Sequence, residues 1–248
     1  MIVANLATYP PRAHRLEAIV SALAPQVDQL NIVLNEHDAV PDALPRLANV
    51  RPIVPDVDYK DVGKFHPQVA PDDLVFLVDD DLNYPPDYVD ATRRRIEALG
   101  SAPCVYGYHG TIYAKPSFGL SPKRLGRWLR YGPDRILEGK QLYWFRHALA
   151  QATIVDQIGT GTAVLLGRCM PPMDYMWSSR KFVDVRLARW CFERSIDMVC
   201  LPRAEGWLTE ERQADRIYDF TRGNPPEVAA EVASFAFRNA RRGRTYGA

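Results

Sequence analysis

The chain has few cysteines and no paired cysteine motif. Four cysteines are scattered through the sequence (Cys104, Cys169, Cys191 and Cys200), and no two of them form a CxxC pair. This spacing argues against a zinc site or a disulfide framework. It predicts that the four side chains are small buried hydrophobes in a reducing compartment.

Long apolar runs and a strong excess of charge are also missing. No stretch reaches the roughly 18 apolar residues that a membrane-spanning helix needs. The amino terminus, MIVANLATYPPR, lacks a charged start and a long apolar segment, so we expect no signal peptide. A net charge of +1 argues against a general nucleic-acid binder. We therefore expect a soluble, cytoplasmic protein.

The apolar residues that are present indicate an α/β fold. Short apolar runs at residues 2–6, 30–34, 50–54 and 74–78 alternate with helical spacing, as in Leu16, Ile19, Val20 and Leu23. This alternation predicts βαβ units and a mostly parallel central sheet flanked by helices. A further helix is expected after Pro85-Pro86, where Val89, Ile96 and Leu99 share a face.

The second half is less regular, and we expect it to continue the same single domain. Strands are predicted at 104–106, 161–166 and 196–201, helices at 183–194 and 225–242, and a long functional loop at 115–150. We divide the chain into a nucleotide- and metal-binding half at 1–100, an acceptor-binding and catalytic half at 101–224, and a carboxyl-terminal helix with a basic tail at 225–248.

The most informative segment is LVFLVDDDLNYPP, in which Asp79, Asp80 and Asp81 follow the predicted strand at 74–78. Three adjacent carboxylates repel one another unless a cation lies among them. In open α/β sheets the carboxyl edge is also where ligands bind. Oxygen ligands favour Mg²⁺ or Mn²⁺, which often shares its coordination shell with substrate phosphates. The segment therefore predicts a metal–diphosphate site, although a solvated acidic turn is the simpler alternative.

Other polar residues follow predicted strands at the same edge. Thr8 and Tyr9 come directly after the first strand, where they can contact a nucleobase, and Arg12 can reach a phosphate. Glu36 follows the second strand and is a candidate partner for a base N–H or a ribose hydroxyl. The simpler interpretation is that Thr8 and Tyr9 belong to a turn and that Arg12 is a surface charge at a helix start.

The order of these features resembles the GT-A nucleotide-sugar glycosyltransferases, most closely the family 2-like inverting enzymes of bacterial polysaccharide synthesis. In that resemblance LATYPPR corresponds to the first strand and turn that hold the nucleobase, and the three aspartates match the DxD motif. The resemblance implies that Asp79 and Asp81 hold the metal, and that Asp79 and Asp80 also bind the nucleotide. It implies a UDP-linked sugar donor with Mn²⁺ or Mg²⁺.

The same resemblance suggests roles for later residues. Lys64 and Asp61, in the polar segment DYKDVGKFH, correspond to residues that contact the diphosphate and the base. VDVRLARWCF resembles the segment that carries the catalytic base, which implies this role for Asp184, although Val183 replaces the usual glutamate of a Glu-Asp pair. A helix N-cap is the alternative role for Asp184.

Two features outside these motifs are weaker candidates. His109 lies just after a predicted strand and can line the cleft on the acceptor side, although a lone histidine is more often structural. The glycines of Gly159-Thr160-Gly161-Thr162 cannot form a P-loop, because no GKS or GKT follows them. We expect them instead to let the backbone approach the sugar or the acceptor.

The predicted function is metal-dependent transfer of a sugar from a nucleotide diphosphate to a hydroxyl acceptor, with inversion and with Asp184 as base. The acceptor is expected to be a glycan or a lipid-linked glycan. Three alternatives remain open: a sugar nucleotidyltransferase, a haloacid-dehalogenase-type phosphatase, and a non-catalytic nucleotide-sugar-binding domain. The last predicted helix ends in arginines, for which weak attraction to anionic membrane lipid is an alternative to a solvated end.

Overall fold

A computed structural model describes residues 1–100, 104–114, 136–211 and 225–247, together with positions 122, 125, 126 and 129. Much of the predicted loop at 115–150 lies outside the described residues. The described strands, numbered in chain order, are β1 Ile2–Thr8, β2 Gln29–Leu34, β3 Val50–Ile53, β4 Leu74–Val78, β5 Leu82–Asn83, β6 Cys104–Gly107, β7 Gly110–Tyr113, β8 Lys140–Tyr143, β9 Thr153–Val155, β10 Gln157–Ile158, β11 Val164–Leu166, β12 Asp197–Cys200 and β13 Thr209–Glu210.

Helices flank these strands. The described α-helices are α1 Leu16–Leu23, α2 Tyr88–Leu99, α3 Met173–Met176, α4 Val183–Glu193 and α5 Pro226–Phe235. Short 3-10 segments occupy Pro10–Arg15, Ala24–Gln26, Lys60–Phe65, Ile136–Glu138, Gly167–Cys169 and Trp177–Ser179. None of the described helices has both the length and the apolar character needed to cross a membrane.

The central sheet of the described residues has eight strands in the order β3-β2-β1-β4-β11-β6-β12-β9. The α/β class is confirmed, and the sheet is mixed: four of its seven described pairings are parallel and three are antiparallel. Strands β3, β2, β1 and β4 are parallel, whereas β11 is antiparallel to both β4 and β6. The β4–β11 pairing joins the two predicted halves in one sheet.

The two faces of this sheet pack against different layers. Along β4, Phe76 and Val78 belong to an apolar cluster with α1 and α2, and Val75 and Leu77 belong to a cluster with α4 and α5. This alternation follows from the two-residue period of a strand. Because both faces are covered, β4 contains only apolar residues and its polar groups come after its end.

Several predictions of local structure are confirmed. Strand β4 has the predicted bounds, and the four apolar residues predicted to share the inner face of α1 are all buried. The four cysteines are free and buried. Leu187 and Trp190 lie on the buried side of α4. The short strands β5, β7, β8, β9, β10 and β13 were not predicted, because runs of two to four residues give too little periodicity to recognise.

The predicted helix at 225–242 is wrong in its length. It ends at Phe235, since Ala236 is extended and Phe237 has a positive φ of 74°. The chain then returns along β9, where the Gly243 and Tyr246 N–H groups donate to Ile154 and Ala152. The arginines therefore lie beyond the helix, and Arg241 donates to Asp197 at 2.7 Å.

A second sheet positions the other side of the site. It has the order β10-β7-β8 and is antiparallel throughout. A third pairing, between β13 and β5, brings Glu210 beside Leu82, directly after the three aspartates. Elements far apart in the sequence therefore meet at the carboxyl end of β4.

Candidate functional site

A cleft of about 310 Å³ opens where β1 and β4 end. Both strands run parallel, so the residues that follow them meet at the same edge of the sheet. The cleft brings together most of the charged residues that the sequence singled out. They are Arg12, Asp61, Lys64, Asp79, Asp81 and Asp184, with His109 on the opposite wall.

Asp80 lies behind the cleft and ties the ends of β1 and β4 together. Its carboxylate accepts a hydrogen bond from the Thr8 hydroxyl at 2.7 Å and pairs with the Arg12 guanidinium. The Arg15 guanidinium donates to the Asp80 carbonyl at 3.2 Å. Asp80 is buried, and these contacts compensate its charge. The structure thus gives Asp80 and Thr8 a supporting position, without an open face toward a nucleotide.

Asp79 is held at the wall of the cleft from two sides. Its carboxylate forms an ion pair with Lys64. Its backbone N–H donates to the Tyr84 hydroxyl at 2.7 Å, and that hydroxyl donates to the Gly161 carbonyl at 2.7 Å. A Cβ atom at Gly161 would overlap the Asp79 carboxylate. Glycine is therefore needed at 161 to admit Asp79, and the predicted approach to a sugar or acceptor is not what the contact shows.

Asp81 is more open. Its side chain is 30% exposed and lies 3.5 Å from the Arg12 guanidinium. Burial, together with the nearby charge of Asp79, raises the pKa of Asp81 to about 6. Arg12 only partly balances the negative charge here, so additional positive charge beside Asp81 would stabilise its ionised form.

Asp79 and Asp81 both line the cleft, and carboxylate oxygens are the kind of ligand that hard divalent cations prefer. Among the described residues, no group of three or more His, Cys, Asp or Glu side chains is placed to hold a metal. Two carboxylates are nevertheless the usual protein contribution to a Mg²⁺ that also binds substrate phosphates. Lys64 and Arg12 occupy the same carboxylates, so a cation would have to share or displace these contacts.

Lys64 lies at the centre of the negative charges. It is buried, and it belongs to the 3-10 segment Lys60–Phe65, which the Asn5 side chain anchors by donating to the Lys64 carbonyl at 2.9 Å. Burial alone would lower the pKa of Lys64. The carboxylates of Asp79, Asp184 and Asp61 outweigh it, and the pKa is raised. Lys64 therefore remains a fixed cation in the wall of the cleft.

Asp184 occupies the first turn of α4 but does not cap it. The N-cap position is Phe182, and both described hydrogen bonds to Asp184 come from Thr160, whose N–H and hydroxyl donate to Oδ1 at 2.8 and 2.7 Å. Among the described contacts, none falls on Oδ2. Burial raises the pKa of Asp184. The alternative role as a helix cap is therefore wrong, and the carboxylate lines the cleft.

Asp61 lies on the same side as Asp184. Its carboxylate accepts from the Lys181 N–H at 2.8 Å, and Lys181 has a positive φ of 76°. Burial raises the pKa of Asp61 to about 6. A strained residue and two carboxylates with raised pKa values thus lie within one wall, an arrangement that is common at functional sites.

The remaining candidates lie outside the residues that line the cleft. Tyr9 packs against Arg12, with the guanidinium 5.6 Å from its ring centroid. Glu36 is exposed, and its carboxylate lies 4.0 Å from Lys60. Asn35 connects this region to the 3-10 segment by donating to the Lys60 carbonyl at 2.9 Å. Neither Tyr9 nor Glu36 is therefore among the residues that line the cleft.

Sequence reasoning missed Tyr84, Trp144 and the second wall of the cleft. Tyr84 lies five residues after Asp79, and nothing in its neighbourhood distinguishes it from other buried tyrosines. Trp144 lies next to β8, a strand that was not predicted. Only the aromatic richness of residues 140–145, QLYWF with its flanking lysine, is a signal that could have suggested a ligand-binding wall.

A search against protein-family models finds no match to this chain, and a search of curated proteins also finds none. The geometry and charge of the cleft are therefore the grounds for assigning a function.

Proposed function

We propose that the protein is a metal-dependent glycosyltransferase of the GT-A type that moves a sugar from a nucleotide diphosphate to a hydroxyl acceptor. One observation carries this proposal. A single cleft contains a carboxylate pair suited to a cation (Asp79 and Asp81), a buried lysine (Lys64), and a separate carboxylate with a raised pKa (Asp184). Donor activation and proton removal require these two kinds of group close together.

The donor half of the cleft would hold the diphosphate. Asp79 and Asp81 would bind Mn²⁺ or Mg²⁺, which when bound supplies Lewis-acid stabilisation of the leaving diphosphate. Lys64 and Arg12 lie beside these carboxylates and add fixed positive charge. Their position lets them stabilise the negative charge that develops on the departing phosphate oxygen.

Asp184 would act as the base. As the acceptor oxygen forms its bond to the anomeric carbon, the bond from that carbon to the diphosphate oxygen breaks, and the electron pair leaves with the diphosphate. The acceptor proton passes to Asp184. Thr160 holds Oδ1, so Oδ2 is the oxygen left to take the proton. The raised pKa makes Asp184 a stronger base than an exposed aspartate. A single displacement of this kind inverts the anomeric carbon.

The wider assignment follows the chemistry of the donor. A UDP-linked sugar is the preferred donor, and a glycan or lipid-linked glycan of polysaccharide synthesis is the preferred acceptor. We place the reaction in the cytoplasm, where nucleotide sugars are made. Peripheral contact with anionic lipid would involve Arg238 and Arg244, since Arg241 and Arg242 lie beside Asp197 and Asp156.

Calorimetry of UDP binding with and without Mn²⁺ tests the donor half. The wild-type protein should bind UDP more tightly when Mn²⁺ is present, and Asp81→Ala should abolish this metal-dependent gain. Asp72→Ala is a matched control, because Asp72 is 87% exposed and pairs with Arg168 on the surface. Equal binding by the wild type and Asp81→Ala would exclude the proposed metal site.

Donor turnover separates a transferase from the alternatives. Slow metal-dependent release of UDP from a UDP-sugar without acceptor supports the transferase. Tight binding without any turnover supports a nucleotide-sugar-binding domain. Formation of a nucleotide sugar from a nucleoside triphosphate and a sugar phosphate would support a nucleotidyltransferase.

A further inference from the structure

The wall opposite the aspartates is one face of the β10-β7-β8 sheet. Side chains two residues apart point to the same side of a strand. His109 and Thr111 therefore share a side at β7, and Leu142 and Trp144 share a side at β8, with Gln157 of β10 next to them. All five line the cleft. We call His109, Thr111, Leu142, Trp144 and Gln157 the neutral wall.

Three side chains of the neutral wall each carry a polar group that has no hydrogen-bond partner among the described residues. Gln157 is only 9% exposed, and its Oε1 accepts from the Tyr113 hydroxyl at 2.6 Å. That contact fixes the amide and leaves its Nε2 group without a described partner. The Thr111 hydroxyl and the His109 ring nitrogens likewise have no hydrogen-bond partner among the described residues. None of these three groups is among the described polar atoms that are sealed from solvent without a partner, and all three residues line the cleft, so a polar ligand there can reach them.

The same wall also offers an aromatic surface. The rings of His109 and Trp144 meet edge to face, with centroids 5.0 Å apart and planes at 89°. The Arg146 guanidinium lies 5.2 Å from the Trp144 ring centroid and helps to fix the indole. Burial, with the nearby charges of Lys140 and Arg203, lowers the pKa of His109 to about 4. The imidazole is therefore neutral at physiological pH.

We propose that the neutral wall is the subsite for a pyranose ring of the acceptor. The inference rests on the proposed transferase function and assigns a sugar ring of its acceptor to these five side chains. An aromatic ring suits the C–H faces of a sugar, while the amide, hydroxyl and imidazole groups suit its hydroxyls. A purely apolar ligand would leave those three groups unpaired. Lys140, two residues before Leu142 on the same side of β8, is a charged cleft residue beside this wall.

Saturation-transfer NMR tests the subsite directly. The probes are methyl glucopyranoside, methyl galactopyranoside and methyl N-acetylglucosaminide, with cyclohexanol as a ring that lacks the array of hydroxyls. The wild-type protein should transfer saturation to at least one pyranoside and not to cyclohexanol. No transfer to any of the three pyranosides, or equal transfer to cyclohexanol, would overturn the proposal.

Variants locate the signal on the wall. Trp144→Ala should weaken pyranoside binding about tenfold, as expected for loss of an aromatic contact, and Trp144→Phe should retain most of it. Thr111→Val is a nearly isosteric second variant that should lower the affinity several-fold, about the loss of one hydrogen bond. Trp177→Ala is the matched control, because Trp177 packs on Arg180 and Tyr59 and does not line the cleft.

Donor measurements keep this inference distinct from the proposed function. Trp144→Ala should bind UDP and Mn²⁺ with wild-type affinity. If Trp144→Ala loses UDP affinity and keeps the pyranoside signal, the wall binds the donor and the inference is wrong. If the wild-type protein binds pyranosides through Trp144 but never binds UDP, the transferase proposal fails and the carbohydrate site remains.

Discussion

The two walls of the cleft differ in whether their polar groups are paired within the protein. On the aspartate wall, formed by Asp79, Asp81, Lys64 and Arg12, Asp79 pairs with Lys64, and Arg12 pairs with Asp80 behind the cleft. On the neutral wall, Gln157 and Thr111 keep groups that no described residue satisfies. Leaving an ionised group unpaired costs far more free energy than leaving a neutral one. Charged groups are therefore paired within the protein before a ligand binds. Neutral groups that face the open cleft can remain without a protein partner until then.

This difference has a consequence for binding. A diphosphate with its cation would exchange existing ion pairs for new ones, so part of the interaction energy is offset and the net affinity should depend on pH and salt. A neutral ligand on the other wall would meet groups that are already placed by the sheet. Its affinity should depend on shape and hydrogen bonding and little on salt.

Asp184→Asn should have the largest effect on activity. Asparagine retains an Oδ1 that can accept both Thr160 hydrogen bonds, so the fold should be kept while the base is lost. General-base catalysis contributes about 10²–10⁴-fold, and we expect transfer to fall by that factor while UDP affinity is unchanged. Steady-state transfer assays combined with calorimetry give both quantities.

Asp174→Asn is the control for Asp184→Asn, because Asp174 also lies in the first turn of a helix but is exposed. Transfer by Asp184→Asn near the wild-type rate would remove Asp184 as the base. Asp61 would then be the next candidate, since it lines the same wall and its pKa is about 6.

Asp61→Asn should stabilise the protein, in a manner that depends on pH. The folded-state pKa of about 6 is higher than the ordinary value of 3.8, so the folded protein favours the protonated carboxyl. Ionisation therefore destabilises the folded state as the pH rises through about 6. Asparagine cannot ionise and can still accept from the Lys181 N–H. Two pKa units correspond to about 2–3 kcal/mol in the free energy of unfolding.

Urea denaturation at several pH values checks this prediction. The gain from Asp61→Asn should be full at pH 8 and should disappear as the pH falls toward 4, where the wild-type carboxyl is protonated in both states. A gain of the same size at both ends of that range would show that Asp61 does not titrate as its burial implies. Asp72→Asn, at an exposed position, should change stability at neither pH.

The aspartate wall could be predicted from the sequence, and the neutral wall could not. The apolar run of β4 ends at Asp79, and parallel strands place their following residues at one edge, so the meeting of Arg12 and Asp81 followed from pattern alone. The neutral wall depends on pairing between β7 and β8, which lie on either side of a long intervening segment. Pairing of such short strands is decided by tertiary contacts and leaves little local signal.

Some side-chain contacts near the aspartate wall could not be predicted for a similar reason. Thr8 and Asp80 were expected to face a nucleotide, but burial leads them to satisfy each other at 2.7 Å. Gly161 was expected to approach a ligand, and it instead admits Asp79. Residue type and order predicted which groups gather at the edge. They could not predict which of those groups are already paired, because that depends on side-chain packing.

Gly161→Ala tests how the aspartate wall is held. An added Cβ would overlap the Asp79 carboxylate, which must then move from its position beside Lys64. Overpacking of this kind costs about 1–3 kcal/mol in the free energy of unfolding. Metal-dependent UDP affinity should fall together with stability, while pyranoside binding on the neutral wall should remain. Gly126→Ala is the control, because a Cβ at Gly126 meets no atom of the described residues within 4 Å.

An unchanged UDP affinity in Gly161→Ala would mean that the position of Asp79 is not critical for the donor. A loss of both UDP and pyranoside binding would instead show that the two walls are mechanically coupled. That result would contradict the view that the side chains of each wall are held in place by contacts within that wall.

Thr160→Val should have the smallest effect and gives the finest test of the comparison. The substitution removes the hydroxyl that donates to Asp184 at 2.7 Å and keeps the backbone N–H at 2.8 Å. Losing a hydrogen bond to the ionised carboxylate raises the pKa of Asp184 further, so the acid limb of the pH–rate profile should move to higher pH. The free energy of unfolding should fall by only about 1 kcal/mol. Thr153→Val, whose hydroxyl donates to the Gln151 carbonyl away from the cleft, should lose similar stability and leave the profile in place. If both variants leave the profile unmoved, Asp184 is not the group whose ionisation limits the rate at low pH.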